Sequence, residues 1–255
     1  MDDSPQTTSK SSKWSEAGRP QAALSSAVHR PASGYLRAVL AVAWKDLAAE
    51  LRSRELLSAM LVFSVLVLLI FYFALELDIK ARMDITAGAL WVTFAFAGTL
   101  GLNRSMSIEK DRGCLDGLLL APVDRSAIYF GKAISNLAFM LIVEAIVLPL
   151  YSVMYNVNLF HPGLLGVTLF GSVGYAAVGT LLAAMSVQTR TRDVLLPILL
   201  FPVIIPVLVA AVKASSGFLT GAEMAEITPW VNILLVYDVI FIAVAFMVFD
   251  FVVEE

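Results

Sequence analysis

The chain has 255 residues, of which 59% are hydrophobic and only 15% are charged, and its formal net charge is −3. Ordinary soluble domains carry roughly 25% charged and about 45–50% apolar residues, so this composition excludes an ordinary soluble domain and indicates an integral membrane protein. The sequence shows no basic stretch of the kind that binds nucleic acid, and we predict no nucleic-acid partner.

The N-terminal segment, residues 1–33, is rich in Ser, Pro, Gln, Thr and Ala. Such a segment cannot bury enough apolar surface to offset the entropy lost on ordering, so we predict a disordered cytoplasmic tail. The apolar run of about 7–15 residues that a cleaved secretory signal requires is missing before Leu36. Residues 34–255 are predicted to form one transmembrane domain.

An amphipathic helix is predicted after the tail, because apolar residues recur there at spacings of three and four. Its apolar face comprises Leu40, Ala43, Trp44, Leu47, Ala48 and Leu51. We predict that this interfacial helix lies flat along the cytoplasmic leaflet, with Trp44 at headgroup depth and basic residues toward anionic lipid. Glu50 is expected to pair with Arg54 one turn later. The alternative is a cytoplasmic extension of the first span that packs on other helices.

Six apolar segments are long enough to cross a membrane, since a spanning helix needs about 20 mainly apolar residues for a hydrocarbon core of roughly 30 Å. The predicted spans are Leu56–Leu77, Ile85–Leu102, Tyr129–Tyr155, Leu164–Val187, Val194–Val212 and Trp230–Val253. The runs are continuously apolar, unlike the alternating strands of a membrane barrel. We therefore predict an all-α integral membrane protein. Most of the 18 Lys and Arg residues lie in the N-terminal segment, in or beside the loop between spans two and three, and in the loop between spans four and five. Basic residues favour cytoplasmic loops, so both termini are predicted to face the cytoplasm.

The loop between spans two and three, residues 103–128, is unusually rich in charge. Helical character is predicted to continue from Ser105 to Arg112, and Gly113 can end that helix as a left-handed cap. Leu115, Leu118 and Leu119 then offer a second apolar face, and Asp124 is predicted to cap the third span. Acidic and basic residues alternate from Glu109 to Arg112, a pattern typical of a helix face exposed to solvent. The leucines that follow favour a contact with a protein partner. The single cysteine, Cys114, is interpreted as a small reduced side chain.

Two acidic residues fall inside predicted spans. An ionised group at the depth of Glu144 costs about 3 kcal/mol or more, so this side chain is predicted to face the bundle or a wet cavity. Asp238 is predicted to be similar but shallower. A function in substrate passage or subunit coupling and a protonated or hydrogen-bonded packing contact both remain open for these residues.

The fourth span contains several glycines, and the fifth span contains three prolines. Small residues in the fourth span are predicted to let helices approach closely; they include Gly166, Gly171, Gly174 and Gly179. Prolines interrupt the fifth span, which is predicted to be bent or broken; they are Pro197, Pro202 and Pro206.

Three stretches together resemble the CcmB family, the permease subunit of the cytochrome c maturation ABC transporter, also called heme exporter protein B. They are EKDRGCLDGLLLAPVDRSAIYFGK around the charged loop, WKDLAAELRSRELL before the first span, and LLAAMSVQTRTRDVLLPILLFPVIIPVL from the fourth span into the fifth. The resemblance covers about Tyr35–Val253. It implies a six-span ABC exporter permease in the bacterial inner membrane.

The resemblance also implies partners and contact residues. The expected assembly is a permease homodimer with two copies of an ABC ATPase subunit, a heme-handling membrane subunit and a small accessory membrane subunit. The coupling helix of the family maps onto about Arg104–Gly113. By that mapping the ATPase contact would be made by Arg104, Glu109, Lys110, Asp111, Arg112 and Gly113.

ATP hydrolysis is expected in the partner, because the sequence contains no Gly-rich phosphate loop: Gly131 and Lys132 are followed by Ala133. The chain is therefore predicted to be non-catalytic. Of the two histidines, His29 lies in the tail and His161 is interpreted as a turn residue. We assign no metal or cofactor ligand, and heme is expected only as a transported or handled ligand.

The predicted function is to couple ATP hydrolysis by the partner to heme export or to release of a heme-loaded chaperone. Two alternatives remain: a permease of another ABC exporter, for a lipid-linked or drug-like substrate, and an intramembrane enzyme. The enzyme would require paired catalytic groups within the bundle.

Overall fold

The computed structural model describes residues 32–74, 79–111, 125–186, 189 and 191–252. These residues form seven α-helices and, within the described ranges, no strand. The helices are α1 (Ala32–Ser53), α2 (Glu55–Ala74), α3 (Ile79–Asp111), α4 (Arg125–Tyr155), α5 (Pro162–Ser186), α6 (Arg192–Thr220) and α7 (Met224–Val252). The all-α prediction is confirmed.

Six helices, α2 to α7, are long and apolar enough to cross a membrane, which confirms the predicted number of spans. The spanning segments are Glu55–Ala74, Ile85–Ile108, Ser126–Tyr155, Pro162–Ser186, Asp193–Thr220 and Met224–Val248. Helix α3 has 33 residues. At 1.5 Å per residue it is about 50 Å long and therefore extends beyond a hydrocarbon core of roughly 30 Å.

Helices α3 and α5 form the centre of the bundle, and the spanning parts of both are mostly buried. Helix α5 packs against α4, α6 and α7, while α3 packs against α2, α6 and α4. Helix α1 lies against α4. The outer helices α2 and α7 expose large apolar side chains such as Ile70, Phe73, Val239 and Met247. Exposed apolar faces of this kind suit a protein whose surroundings are hydrocarbon.

Glycines on α5 allow the close packing that the sequence predicts. A Cβ on Gly171 would lie 2.2 Å from the Trp91 ring, and one on Gly179 would lie 2.2 Å from Leu102. A Cβ on Gly174 would meet the carboxyl group of Asp238. Gly166 has open space beside it, so the packing explanation does not extend to that position.

Polar side chains join α5 and α6 to their neighbours inside the bundle. The indole N–H of Trp91 donates to Ser215 Oγ at 2.9 Å. The hydroxyls of Thr99 and Tyr175 lie 2.6 Å apart. Such bonds orient helices that lack a hydrophobic driving force between them in lipid.

Of the two forms predicted for the fifth span, bent or broken, a break is absent. Helix α6 is continuous from Arg192 to Thr220 although Pro197, Pro202 and Pro206 lie inside it. Neighbouring helices stabilise proline-containing segments in membranes by packing and by supplying hydrogen bonds to the backbone. Helix α7 contacts this segment directly, since the Tyr237 hydroxyl donates to the Val203 carbonyl at 3.0 Å.

Candidate functional site

Helix α1 is joined to α4 by close backbone packing at Gly131. A Cβ at that position would lie 2.6 Å from Val42 Cβ and 2.9 Å from the Val39 carbonyl oxygen, so only glycine permits this approach. One end of the contact is marked by Tyr35, whose hydroxyl donates to Ser126 Oγ at 3.4 Å. The packing brings the charged face of α1 toward the bundle.

A cluster of charged side chains lies beside this crossing, in which Lys132 is buried, Asp46 is partly buried and Lys45 is exposed. The Lys132 ammonium donates to Asp46 Oδ2 at 2.9 Å, and the Ser135 hydroxyl donates to the same oxygen at 3.1 Å. Lys45 lies 3.1 Å from Asp46 Oδ1. Burial raises the pKa of Asp46, but the charges and hydrogen bonds of Lys132 and Lys45 outweigh it and hold that pKa below its ordinary value. Asp46 is therefore ionised.

Glu50 connects α1 to the first span. Its carboxylate accepts the Leu57 N–H at 2.8 Å and the Ser53 hydroxyl at 3.3 Å. The first N–H groups of a helix have no partner within the helix, so Glu50 caps α2. Arg54 adopts a left-handed conformation at φ 56°, which turns the chain from α1 into α2. The predicted Glu50–Arg54 ion pair is therefore wrong, because Glu50 is turned inward toward the start of α2.

A cavity of about 220 Å³ lies between α1, α3 and α4. The cluster residues Asp46 and Lys132 line it, together with Glu50, Ser105 and Phe139. The cavity leaves space between the last turns of α3 and the α1–α4 contact.

The last turns of α3 contact the starts of two other spans, α2 and α6. The Arg104 guanidinium forms an ion pair with Glu55 at the beginning of α2. The Asn103 amide donates to Asp193 Oδ1 at 3.0 Å, in the first turn of α6. We call this end of the bundle, defined by Asn103, Arg104, Glu55 and Asp193, the Arg104 end.

The predicted coupling segment lies partly in α3. The helix extends as far as Asp111, so its backbone includes Glu109, Lys110 and Asp111, and Lys110 is exposed. Arg112 and Gly113 lie outside the described residues, as do Cys114, the three leucines of the loop and Asp124. Helix α4 begins at Arg125.

The outward face of α1 is apolar. Trp44 is 69% exposed and Leu51 is 59% exposed, while Leu47 is half-buried against the bundle. The structure thus combines features of both sequence interpretations, since α1 packs on α4 and also presents an apolar face outward. The disordered-tail prediction covers residues 1–33. Residues 1–31 lie outside the described part of the chain, and α1 begins at Ala32, within the predicted tail.

Glu144 and Asp238 are both buried inside the bundle, with 3% and 5% of their surface exposed. The Ser172 hydroxyl of α5 donates to Glu144 Oε1. Asp238 lies against Gly174 on the same helix. The two carboxyl groups lie at nearly the same level of the bundle, because Ser172 and Gly174 are two residues apart on α5, a rise of about 3 Å.

His161 lies at the end of the bundle opposite the Arg104 end, beside the start of α5. Its Nδ1 accepts the Gly163 N–H at 3.2 Å, and its ring lies 5.5 Å from that of Phe218. These contacts fit the prediction of a turn residue. Among the described residues, no group of three or more His, Cys, Asp or Glu side chains could hold a metal ion. His29 lies outside them.

Comparison with known proteins decides the family. Residues 37–254 match the CcmB protein family. The chain belongs to the CcmB family. The match covers nearly all of the chain from α1 to α7, so the contacts of Asp46, Glu50, Arg104 and Glu144 all lie within the family region.

Several curated relatives bear the name Heme exporter protein B. The protein from Rhodobacter capsulatus is 30% identical over 135 residues, which are 52% of this chain and 60% of the relative. The protein from Bradyrhizobium diazoefficiens is 23% identical over 189 residues, or 73% of this chain and 84% of the relative. The protein from Pseudomonas aeruginosa is 24% identical over 67% of this chain and 77% of the relative. Matches to the Rhodobacter capsulatus and Paracoccus denitrificans relatives cover 60% and 64% of their lengths.

Proposed function

We propose that this CcmB-family chain is the membrane permease subunit of an ABC transporter in cytochrome c biogenesis. It couples ATP hydrolysis by a separate ATPase subunit to heme export or to release of a heme-loaded chaperone. Family membership and the names of the curated relatives support this assignment. The chain itself is the non-catalytic part of the assembly.

The observation that carries the mechanism is the double attachment of the α3 end. Arg104 pairs with Glu55 of α2, and Asn103 bonds to Asp193 of α6. A push on the last turn of α3 is therefore transmitted to the starts of two other spans. ATP-driven closure of a partner would move three helices together through these contacts.

The residues proposed for ATPase contact divide into two groups. Arg104 has its charge engaged within the chain by Glu55, so we assign it to transmission. Glu109, Lys110, Asp111, Arg112 and Gly113 follow it toward the loop, and we assign the ATPase contact to them. The ATPase is present in two copies, one for each permease of a homodimer.

We place this transporter in the bacterial inner membrane with both termini in the cytoplasm. The Arg104 end then faces the ATPase, and His161 with the α6–α7 turn faces the other side. A heme-handling membrane subunit and a small accessory subunit complete the assembly. The outward face of α1, with Trp44 and Leu51, lies against lipid headgroups and acyl chains.

The test is affinity purification from native membranes of the wild type and of Glu109→Arg plus Asp111→Arg. We expect the double variant to lose the bound ATPase and the ATP hydrolysis that co-purifies with the wild type. The matched control is Glu223→Arg plus Glu226→Arg, which reverses two charges beside the α6–α7 turn at the opposite end. The control should keep the ATPase.

Each alternative outcome is informative. An unchanged ATPase complement in the double variant contradicts the proposed contact. Wild-type protein that co-purifies with an ATPase but with no cytochrome c maturation subunit supports a permease of another ABC exporter. Wild-type protein without any ATPase, even after gentle solubilisation, contradicts the transporter assignment itself.

A further inference from the structure

The coupling mechanism leaves two buried carboxyl groups in the middle of the bundle without a function. Glu144 on α4 and Asp238 on α7 both face α5, and neither contacts the Arg104 end. Glu144 Oε2 and both carboxyl oxygens of Asp238 are buried and have no hydrogen-bond partner among the described residues. An ionised carboxylate in such surroundings lacks the compensation that buried charges require.

The surroundings of Glu144 suit a protonated acid. With an ionised carboxylate, the Ser172 hydroxyl donates the single recorded hydrogen bond to Oε1. With a proton on that oxygen the direction can reverse, so that Glu144 donates to Ser172 Oγ. Ser172 can then donate to a carbonyl of the preceding turn of α5, as serines in helices commonly do. The protonated form thus leaves no buried charge and no unsatisfied donor.

The surroundings of Asp238 are still less suited to a charge. Its Oδ1 lies 2.3 Å from the place that a Cβ on Gly174 would occupy, so the carboxyl group is pressed against the α5 backbone. The adjacent Tyr237 uses its hydroxyl on the Val203 carbonyl of α6. Helix α6 also carries Lys213, which is exposed on its outer surface.

No counter-charge faces Glu144 from the described parts of the helices packed on α4. Helix α1 presents Asp46 and Glu50 at the Arg104 end, where Asp46 pairs with Lys132. Lys132 precedes Glu144 by twelve residues, about 18 Å along the helix. On α2 and α3, Glu55 and Arg104 pair with each other at that same end. Tyr151, two turns further along α4, and Tyr155 stacked on it are titratable groups on the other side.

We propose that Glu144 and Asp238 are two intramembrane proton-binding sites, occupied in this conformation and able to exchange their protons when α5 separates from α4 and α7. The ligand is the proton itself. On release the carboxyl O–H bond breaks, the electron pair stays on the carboxylate and the proton passes to water. No electron is transferred, and rebinding reverses the same step.

The α4–α5 interface offers the polar groups that such an exchange needs. Two turns from the Glu144–Ser172 contact, the Asn136 amide donates to Thr180 Oγ1 at 2.9 Å. Asn136 Oδ1 is buried and has no recorded partner. One turn nearer the Arg104 end, Lys132 lines the cavity of about 220 Å³. Opening of this interface would therefore connect Glu144 to water through polar side chains.

Protonation of Glu144 and Asp238 in this conformation is tested by infrared spectroscopy of the full-length protein in lipid nanodiscs at neutral pH. Protonated carboxyl groups have a C=O stretching band separate from that of carboxylates, and exposed acids are ionised at this pH. We expect Glu144→Gln to lose one such band and Asp238→Asn to lose the other. Glu223→Gln, at an exposed position near the α6–α7 turn, should leave both bands unchanged. Unchanged bands in both core variants would overturn the proposal.

Ser172→Ala provides a second test that keeps the carboxyl group and adds no bulk. Loss of the hydrogen bond should shift the Glu144 band to higher frequency without removing it. A Glu144 band that is insensitive to Ser172→Ala would contradict the assignment, even where Glu144→Gln does not fold.

Proton exchange during the cycle rests on the proposed function and needs the complete complex with its ATPase. Addition of ATP should reduce the two carboxyl bands while hydrolysis proceeds. Unchanged bands during active hydrolysis would overturn exchange. A complex without hydrolysis would contradict the proposed function, whereas the band losses in the two core variants would still establish the proton sites.

Discussion

Asp46, which is largely buried, and Glu144, which is fully buried, are acidic residues that contact α4 or belong to it, yet their surroundings are opposite. Asp46 lies between two ammonium groups and a hydroxyl, which stabilise its charge. Glu144 has one hydroxyl as its recorded partner and lies deep in the bundle. The same side-chain chemistry therefore forms a structural ion pair at the Arg104 end and a proposed proton site at mid-depth. The nearby charges, more than burial, decide between the two.

Removal of one partner of the Asp46–Lys132 pair should give the largest effect. Lys132→Met leaves a carboxylate buried without its main counter-charge, and such truncations cost about 3–5 kcal/mol. We expect a loss of that size in the free energy of unfolding, measured by denaturant titration of the purified protein. Lys132→Met combined with Asp46→Leu should recover most of it, since an apolar pair of similar volume removes both charges. No recovery would show that the pair is not the source of the loss.

Low pH should weaken the same ion pair between Asp46 and Lys132. The pKa of Asp46 is lowered in the folded state, so its contribution to stability is complete above the unfolded value of about 3.9. The contribution is lost as the pH falls through the folded pKa. We expect the unfolding free energies of wild type and Asp46→Asn to converge below that range and to diverge at neutral pH. A gap between the two proteins that is independent of pH would contradict an ionised Asp46.

A methyl group against Asp238 should have an intermediate effect. In Gly174→Ala the new Cβ would lie 2.3 Å from Asp238 Oδ1, so the α5–α7 contact must shift. Overpacking of this kind costs about 1–3 kcal/mol. The matched control is Gly166→Ala on the same helix, where a Cβ meets open space. Thermal unfolding that is equal for the two variants would contradict the packing of Asp238 against α5.

The sequence predicted those features that depend on local composition. Spans were recognised because apolar runs of membrane length cannot remain in water, and an acid as deep as Glu144 has to face inward. The Asp46–Lys132 pair was missed because the two residues are 86 positions apart.

The smallest predicted effect separates the two kinds of buried acid most clearly. Glu144→Gln replaces a carboxyl group with a neutral amide of nearly the same shape, and the Ser172 hydroxyl keeps a hydrogen-bond partner. If Glu144 is protonated in the folded protein, the substitution removes no charge, and we expect a change within about 1 kcal/mol at neutral pH. The measurement is the same denaturant titration used for Lys132→Met. A loss as large as that of Lys132→Met would indicate an ionised Glu144 with a counter-charge, and the two acids would then belong to one class.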